Sequence, residues 1–530
     1  MILRKLLTNA AFAAWLTRGL LLILVLPPVL AFVIAAAAGF GPSANPANLR
    51  IFSWALLGRS LFIAMIVALL AAVLGGFCGT VTGRLSRAAS ALMLFAFVLP
   101  LATPPSVHAY VWRNVALSAG LLGGLFVEGG SGIVNYAGAV FSMVSAFWTI
   151  PALAAFAVSA GPARRYELEA RPFASPSIAA RRILVPSVLP AVAASAGLVF
   201  VLAFGEFGAV ALWQINTFPA HVLSLYSATF EPHLAAAASL VPALVTGLAA
   251  ALVFLVAARA LSATAVERAN VEREILWRPS RVLKALLAVF VLFLVAGPLT
   301  VSVWYAAARW SSVAGLAGIL GELGFSIVFA SAAALTGAAV AVFAAAAHWT
   351  SRGPWRTLIL VIALAAFFLP SAGAGLAVKS VSQLRIIPAA FAATPAALVY
   401  ALAARFLAVP LLLAALALSR VDANYRRLVE ISGATGLRAI VSVGVPVAFP
   451  AAFAGFAVAA VLGVAELPVS MLVSPPGSPP ASVDLFNLMH YARQSEAFAV
   501  AVAMSVGSSF AIIGALAITR RLWKRYLPAH

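Results

Sequence analysis

Apolar runs of about 20 residues recur along the whole chain, separated by short polar and mostly basic segments. Coiled into an α-helix at about 1.5 Å per residue, such a run matches the roughly 30 Å hydrocarbon thickness of a bilayer. The runs are too long and too continuous for barrel strands, and a helix satisfies its own backbone hydrogen bonds in lipid. The pattern predicts an all-α polytopic membrane protein with twelve spans. Six lie near 19–40, 57–79, 90–112, 134–160, 187–213 and 234–260, and six near 282–308, 323–347, 355–378, 388–419, 447–474 and 496–519. The first run, behind Arg4, Lys5 and Arg18, has the flanking charge of a signal sequence. It is too long for one and lacks a small-residue cleavage site, so it reads as a retained span.

Composition removes the soluble alternatives. The 530 residues are 64% hydrophobic and 9% charged, with a mean hydropathy of +1.08. The net charge of +20 falls in clusters between spans, so it reports topology and not nucleic-acid binding. Only eight of the 34 Lys and Arg residues (Arg50, Arg59, Arg113, Arg309, Lys379, Arg385, Arg405 and Arg493) fall on one side when the loops are assigned alternately. The other, heavily basic side is cytoplasmic by the positive-inside rule, which puts both ends of the chain inside. Cys78 is the single cysteine, so the chain forms no internal disulfide and no cysteine-based metal cluster.

A stretch of the chain occurs twice. Tyr166–Gly208 and Arg426–Pro468 align at a constant offset of 260 residues, matching Leu168 with Leu428, Ala174 with Ala434, Pro186 with Pro446, Pro190 with Pro450 and Glu206 with Glu466. Each copy has a polar segment, basic above all in the first, then a proline, then a long apolar run containing one glutamate. Arg164, Arg165, Arg171, Arg181 and Arg182 lie too close together to sit in lipid. This segment reads as a surface loop with a short helix, feeding the next span where the prolines mark the turn into the membrane. Two such surfaces in matching positions suggest a docking platform for a partner. Upstream, Phe97-Val98-Leu99-Pro100 corresponds to Phe367-Phe368-Leu369-Pro370 at an offset of 270, which makes the Gly-rich stretch 123–132 an insertion in the first half. Six spans per half make the repeat parallel. The expected organisation is 1–261, a charged linker at 262–279, and 280–530.

The loops resemble a known family. Glu167, Ala170, Phe173-Ala174 and the run to Pro186, with Gly433-Ala434 and the run to Pro446, are similar to the cytoplasmic EAA loops of bacterial ABC-importer permeases. Phe173 stands where that family has glycine, and Arg427 stands at the glutamate position of the second loop, with Glu430 one turn on. The alternative is an ordinary basic juxtamembrane loop, which leaves the shared register unexplained. The resemblance implies the MetI-like fold of type I importer permeases. It also implies two copies of an ATP-binding subunit docked at the loops, with ATP and Mg held there, and a periplasmic binding protein at the outer face. Leu99–Pro105, Ser470–Gly477 and Leu485–Tyr491 resemble the fused double permeases of ferric-iron importers, and thiamine permeases share much of the pattern.

Glu206 and Glu466 are the only acids that fall in the interior of the expected spans. A charge at bilayer depth is unfavourable by about 3 kcal/mol, so each should face the bundle interior or a water-filled path. Lining a path for a cation and bridging helices structurally are both open readings. His108, His221, His233 and His490 are too scattered for metal-ligand spacing. Gly79–Arg84, with Arg87, resembles the basic loop of major-facilitator transporters without its acid. No phosphate-binding G-x-x-x-x-G-K-[ST] loop and no nucleophile elbow occurs, so the chain is expected to bind no cofactor and to catalyse no reaction itself. The rivals are a secondary transporter of six plus six helices and, more remotely, a membrane-embedded enzyme.

Overall fold

A computed structural model describes residues 10–40, 52–118, 132–170, 172–264, 277–308, 316–350, 361–362, 364–367, 369–382, 391, 394–419, 421, 431, 436–491 and 493–526. All regular structure among them is helical. In the first half the elements are α1 (Ala10–Gly39), α2 (Trp54–Thr82), α3 (Arg87–Ala102), α4 (Pro105–Ser118), α5 (Ile133–Phe147), α6 (Thr149–Ser159), α7 (Pro162–Ala170), α8 (Pro176–Phe204), α9 (Gly208–Leu212), α10 (Phe218–Thr229) and α11 (Pro232–Thr264). In the second they are α12 (Arg281–Ala307), α13 (Leu316–Thr350), α14 (Ser371–Ser382), α15 (Pro395–Phe406), α16 (Ala408–Ser419), α17 (Ile440–Ala465), α18 (Pro468–Val473), α19 (Ala481–His490) and α20 (Gln494–Tyr526).

Ten helices among the described residues are long and apolar enough to cross a membrane, and α3 with α4, bent by 92° between them, is a broken span or a re-entrant loop. The bend falls at Pro104, where the chain cannot continue the helix hydrogen-bond ladder. The run expected to span at 355–378 lies partly outside the described residues, as does most of the linker. α11 extends to Thr264, past the expected start of that linker. Large apolar side chains stay exposed around the bundle, among them Ile23, Trp54, Leu248, Leu292 and Trp304. A helix face that meets hydrocarbon carries such residues without loss. The chain is a polytopic helical membrane protein.

The repeat is written into the backbone. Gly436–Ala439, the π-helical turn Ile440–Gly444 and the helix from Val445 repeat Pro176–Ala179, the π-helical turn Ala180–Leu184 and the helix from Val185, each at an offset of 260. Here the structure corrects the sequence reading. Pro186 and Pro446 do not end a helix; each is the second residue after a π turn, inside a continuous helix. The wider turn lets the N–H of Val185 reach Ala180 O, and that of Val445 reach Ile440 O, just before a residue with no N–H to give. The apolar runs also stop earlier than expected. α8 ends at Phe204 and α17 at Ala465, and the chain then folds back into the bundle as α9 and α18.

The two halves interlock. α1 packs against α13 and α14 of the second half, and α12 against α2 and α4 of the first. The ring pairs Tyr110–Phe498, Trp112–Phe293 and Phe207–Phe486, with centroids 4.8, 4.9 and 5.3 Å apart, all cross the division. Within the first half α2 lies close against α6. A Cβ on Gly79 would stand 1.9 Å from Ala152 O, so only glycine admits this approach. Gly79→Val should therefore lower the unfolding midpoint of the detergent-solubilised protein, because relieving such a clash costs about 1–3 kcal/mol or more. Gly247→Val, with nothing within 4 Å of the added carbon, should leave the midpoint unchanged.

Candidate functional site

Two places carry the residues singled out above. The first is the end of the bundle bearing Arg84, Arg181, Arg182, Arg520 and Arg521, where α7 and the start of α8 lie. α7 is short and buries one face: Ala163 is fully buried and Glu167 is 1% exposed, while Tyr166 and Glu169 are exposed. Arg84, just past the end of α2, donates from one Nη to Glu167 Oε2 at 2.8 Å and from the other to Oε1 at 2.6 Å. This two-pronged pair is out of contact with solvent on both sides. The acid missing from the loop around Arg84 is thus supplied by Glu167, 83 residues further along the chain. Sequence reading assigned Glu167 to a partner-facing loop; the carboxylate instead faces inward and fixes α7 to α2.

What faces outward is the tip of that loop. The Phe173 ring is 89% exposed, next to half-buried Ala174, with Ala170 half-buried and Pro186, Arg181 and Arg182 exposed. In the second copy Arg427, Glu430, Gly433 and Ala434 lie outside the described residues, and Pro446 is half-buried inside its helix. Ile431 beside them is 81% exposed.

The second place is the meeting of the halves. Glu206 and Glu466 stand in the breaks between α8 and α9 and between α17 and α18, where both apolar runs were expected to continue as helix. Glu206 Oε1 accepts from the N–H of Ala209 at 3.0 Å, and Glu466 Oε1 from that of Val469 at 3.5 Å, again at an offset of 260. Each carboxylate satisfies an N–H that the new helix start leaves without a partner. A Cβ on Gly208 would lie 3.1 Å from Leu467 Cδ2 and 3.0 Å from Ser106 Cβ, so the two breaks touch where the halves meet. Glu322, in the second turn of α13, and Glu496, in the first turn of α20, also fall within crossing helices, an addition to the two acids expected.

Arg405 was counted among loop residues, and that placement is wrong. It lies in α15, 7% exposed, and donates to Glu466, to Leu369 O and to Ser371 Oγ. The repeat itself held a signal for it. Pro410 and Phe406 match Pro151 and Phe147, so Arg405 replaces Ala146 in an otherwise apolar span. Among the described residues no three His, Cys, Asp or Glu side chains gather as metal ligands. His108 is buried and pairs through Nδ1 with Ser145 Oγ at 2.8 Å. No family model, curated protein or solved structure matches the chain.

Removing one partner of a fully buried ion pair leaves an uncompensated charge, at about 3–5 kcal/mol. Glu167→Leu and Arg84→Met singly should each destabilise the protein by that amount, and the double variant should recover most of it. Chemical unfolding of the three variants in mild detergent, closed as a double-mutant cycle, gives the measurement.

Proposed function

We propose that this chain is the fused membrane subunit of an ATP-driven importer, with its basic end in the cytoplasm of a bacterium and both termini there. Two ATP-binding subunits dock at 162–186 and 422–446 and supply ATP and Mg. A periplasmic binding protein delivers the substrate opposite. Ferric iron is the proposed cargo, with thiamine or another small solute as the alternative. On this reading the fold is that of type I importer permeases.

The observation that carries the proposal is the matched pair of elements at an offset of 260. Each has a lead-in turn, a π turn, a span and a glutamate-capped break, and the first is headed by a surface helix pinned to α2. A rigid handle, joined by continuous helix to the place where the halves meet, is what an external motor needs. A buried ion pair and an exposed phenyl ring at one tip suit that role: the pair holds the handle stiff and Phe173 offers an anchor for an apolar groove. The chain has no phosphate-binding loop, so hydrolysis falls to another polypeptide.

Reconstitution with the ATP-binding subunits and a binding protein charged with ferric iron or thiamine tests this. Phe173→Asp should leave membrane insertion intact while lowering ATP-driven uptake about tenfold or more, the effect of losing one aromatic anchor. Uptake by the wild-type chain alone, driven by an ion gradient, would instead establish a secondary transporter.

A further inference from the structure

The correspondence between the halves fails at a buried side chain. α5 and α6 are interrupted at Trp148, and α15 and α16 at Leu407, with Phe147 matching Phe406 and Pro151 matching Pro410 at an offset of 259. One position before the phenylalanine the first half has Ala146 and the second has Arg405.

Arg405 is held by every nitrogen it has. Nε donates to Glu466 Oε2 at 3.3 Å, one Nη to Leu369 O at 2.7 Å and the other to Ser371 Oγ at 2.6 Å. Its side chain is 8% exposed and that of Glu466 9%. Glu466 therefore has one oxygen on the N–H of Val469 and the other on a guanidinium fixed to the start of α14. Glu206 has the same first contact, to the N–H of Ala209, and no second one of this kind. Among the described residues no cation pairs with it; it is partly buried, as Glu466 is, and its charged neighbour is Glu466. In the first half the place next to Ala146 is taken by Ser145, bonded to His108 and Trp112.

We propose that Arg405 is a tethered counter-ion: at Glu466 it fills the position that a cationic ligand fills at Glu206. The two matched carboxylates then do different work. Glu466 joins α15, the α17–α18 break and the start of α14 into one block. Glu206 is the carboxylate that a passing cation, metal or organic, meets where the halves touch. Arg405 is thus a positioning residue that makes the site one-sided, and a ligand faces one carboxylate where strict symmetry would offer two. The inference deepens the path reading of these glutamates and needs no ATPase, so its failure and the failure of motor coupling are separable.

Labelling the purified full chain in lipid nanodiscs with dicyclohexylcarbodiimide, read by peptide mass spectrometry, tests it. Glu206 should be modified at least about tenfold faster than Glu466, because one Glu466 oxygen is engaged by the Arg405 guanidinium and Glu206 has no such partner among the described residues. Arg405→Gln should raise Glu466 labelling to the level of Glu206, while Arg405→Lys, folded and still charged, should keep Glu466 protected. Lanthanum ion or thiamine, added separately, should slow labelling of Glu206 and leave the Glu466 of Arg405→Lys unchanged. Protection by lanthanum identifies a metal ligand, and protection by thiamine an organic one. Equal labelling of both glutamates in the wild type would overturn the proposal. So would an unreactive Glu206, or indifference to both cations.

Discussion

A peptide group inside a bilayer has no water to turn to, and this one constraint accounts for most of what is unusual in the molecule. Wherever a helix stops within the bundle it leaves N–H groups that the protein must satisfy from its own side chains. Two matched stops, after Phe204 and after Ala465, are of this kind among the described residues, and each time a glutamate supplies the acceptor. The acids that look anomalous in an apolar sequence are there first to cap a break. Once the breaks exist, α9 and α18 can turn back into the bundle. Gly208 then lies against Leu467, and Phe207 against Phe486, so the halves are joined at the same point where their helices are interrupted.

The same constraint explains how a surface element can be tied to that point. A proline in a helix normally opens the ladder and introduces a bend. At Pro186 and Pro446 the preceding π turn absorbs the missing donor, and helix continues from the surface to the break. At the surface, the Arg84–Glu167 pair removes the freedom that a nine-residue helix would otherwise have. A buried ion pair is a poor source of net stability compared with apolar packing. It is a good source of position, because both prongs fail together if α7 rotates.

Much of this was legible in the sequence, and the parts that were not share a cause. Run length gives the presence and order of the crossing helices among the described residues, because hydropathy at that scale depends on composition alone, but it misplaces ends: the run expected at 187–213 is the helix Pro176–Phe204. The offset of 260 gives the equivalence of the halves, down to matching π turns that no propensity argument would suggest. What the sequence hides is pairing at long range. Arg84 and Glu167 read as two unrelated polar residues, and Arg405 as a loop charge, because the span containing it was drawn without regard to where its acceptors lie. Helix ends fail for a related reason. Ala203 to Ala209 remains apolar apart from one glutamate, so nothing in the hydropathy distinguishes a capped break from an unbroken span.

The repeat also shows what a fused chain permits that two identical subunits do not. In a symmetric dimer any residue placed near the axis appears twice, so an arginine brought to one carboxylate is brought to both. Two arginines and two glutamates at one junction form a closed, neutral cluster with nothing left for a ligand. Joining the halves in one polypeptide frees each position to change alone. Ala146 keeps the first half apolar beside its break, whereas Arg405 crosslinks the second half at three acceptors. An unpaired arginine in mid-span would be unfavourable by about 3 kcal/mol on insertion scales, so its retention requires those acceptors to be preformed. Their source is the break itself: Leu369 O and Ser371 belong to the chain beside Pro370, and Glu466 to the break after α17. The asymmetry is therefore a consequence of irregular backbone meeting at one level of the bundle, and it leaves that level with one carboxylate held by a guanidinium and the other, among the described residues, without a cation beside it.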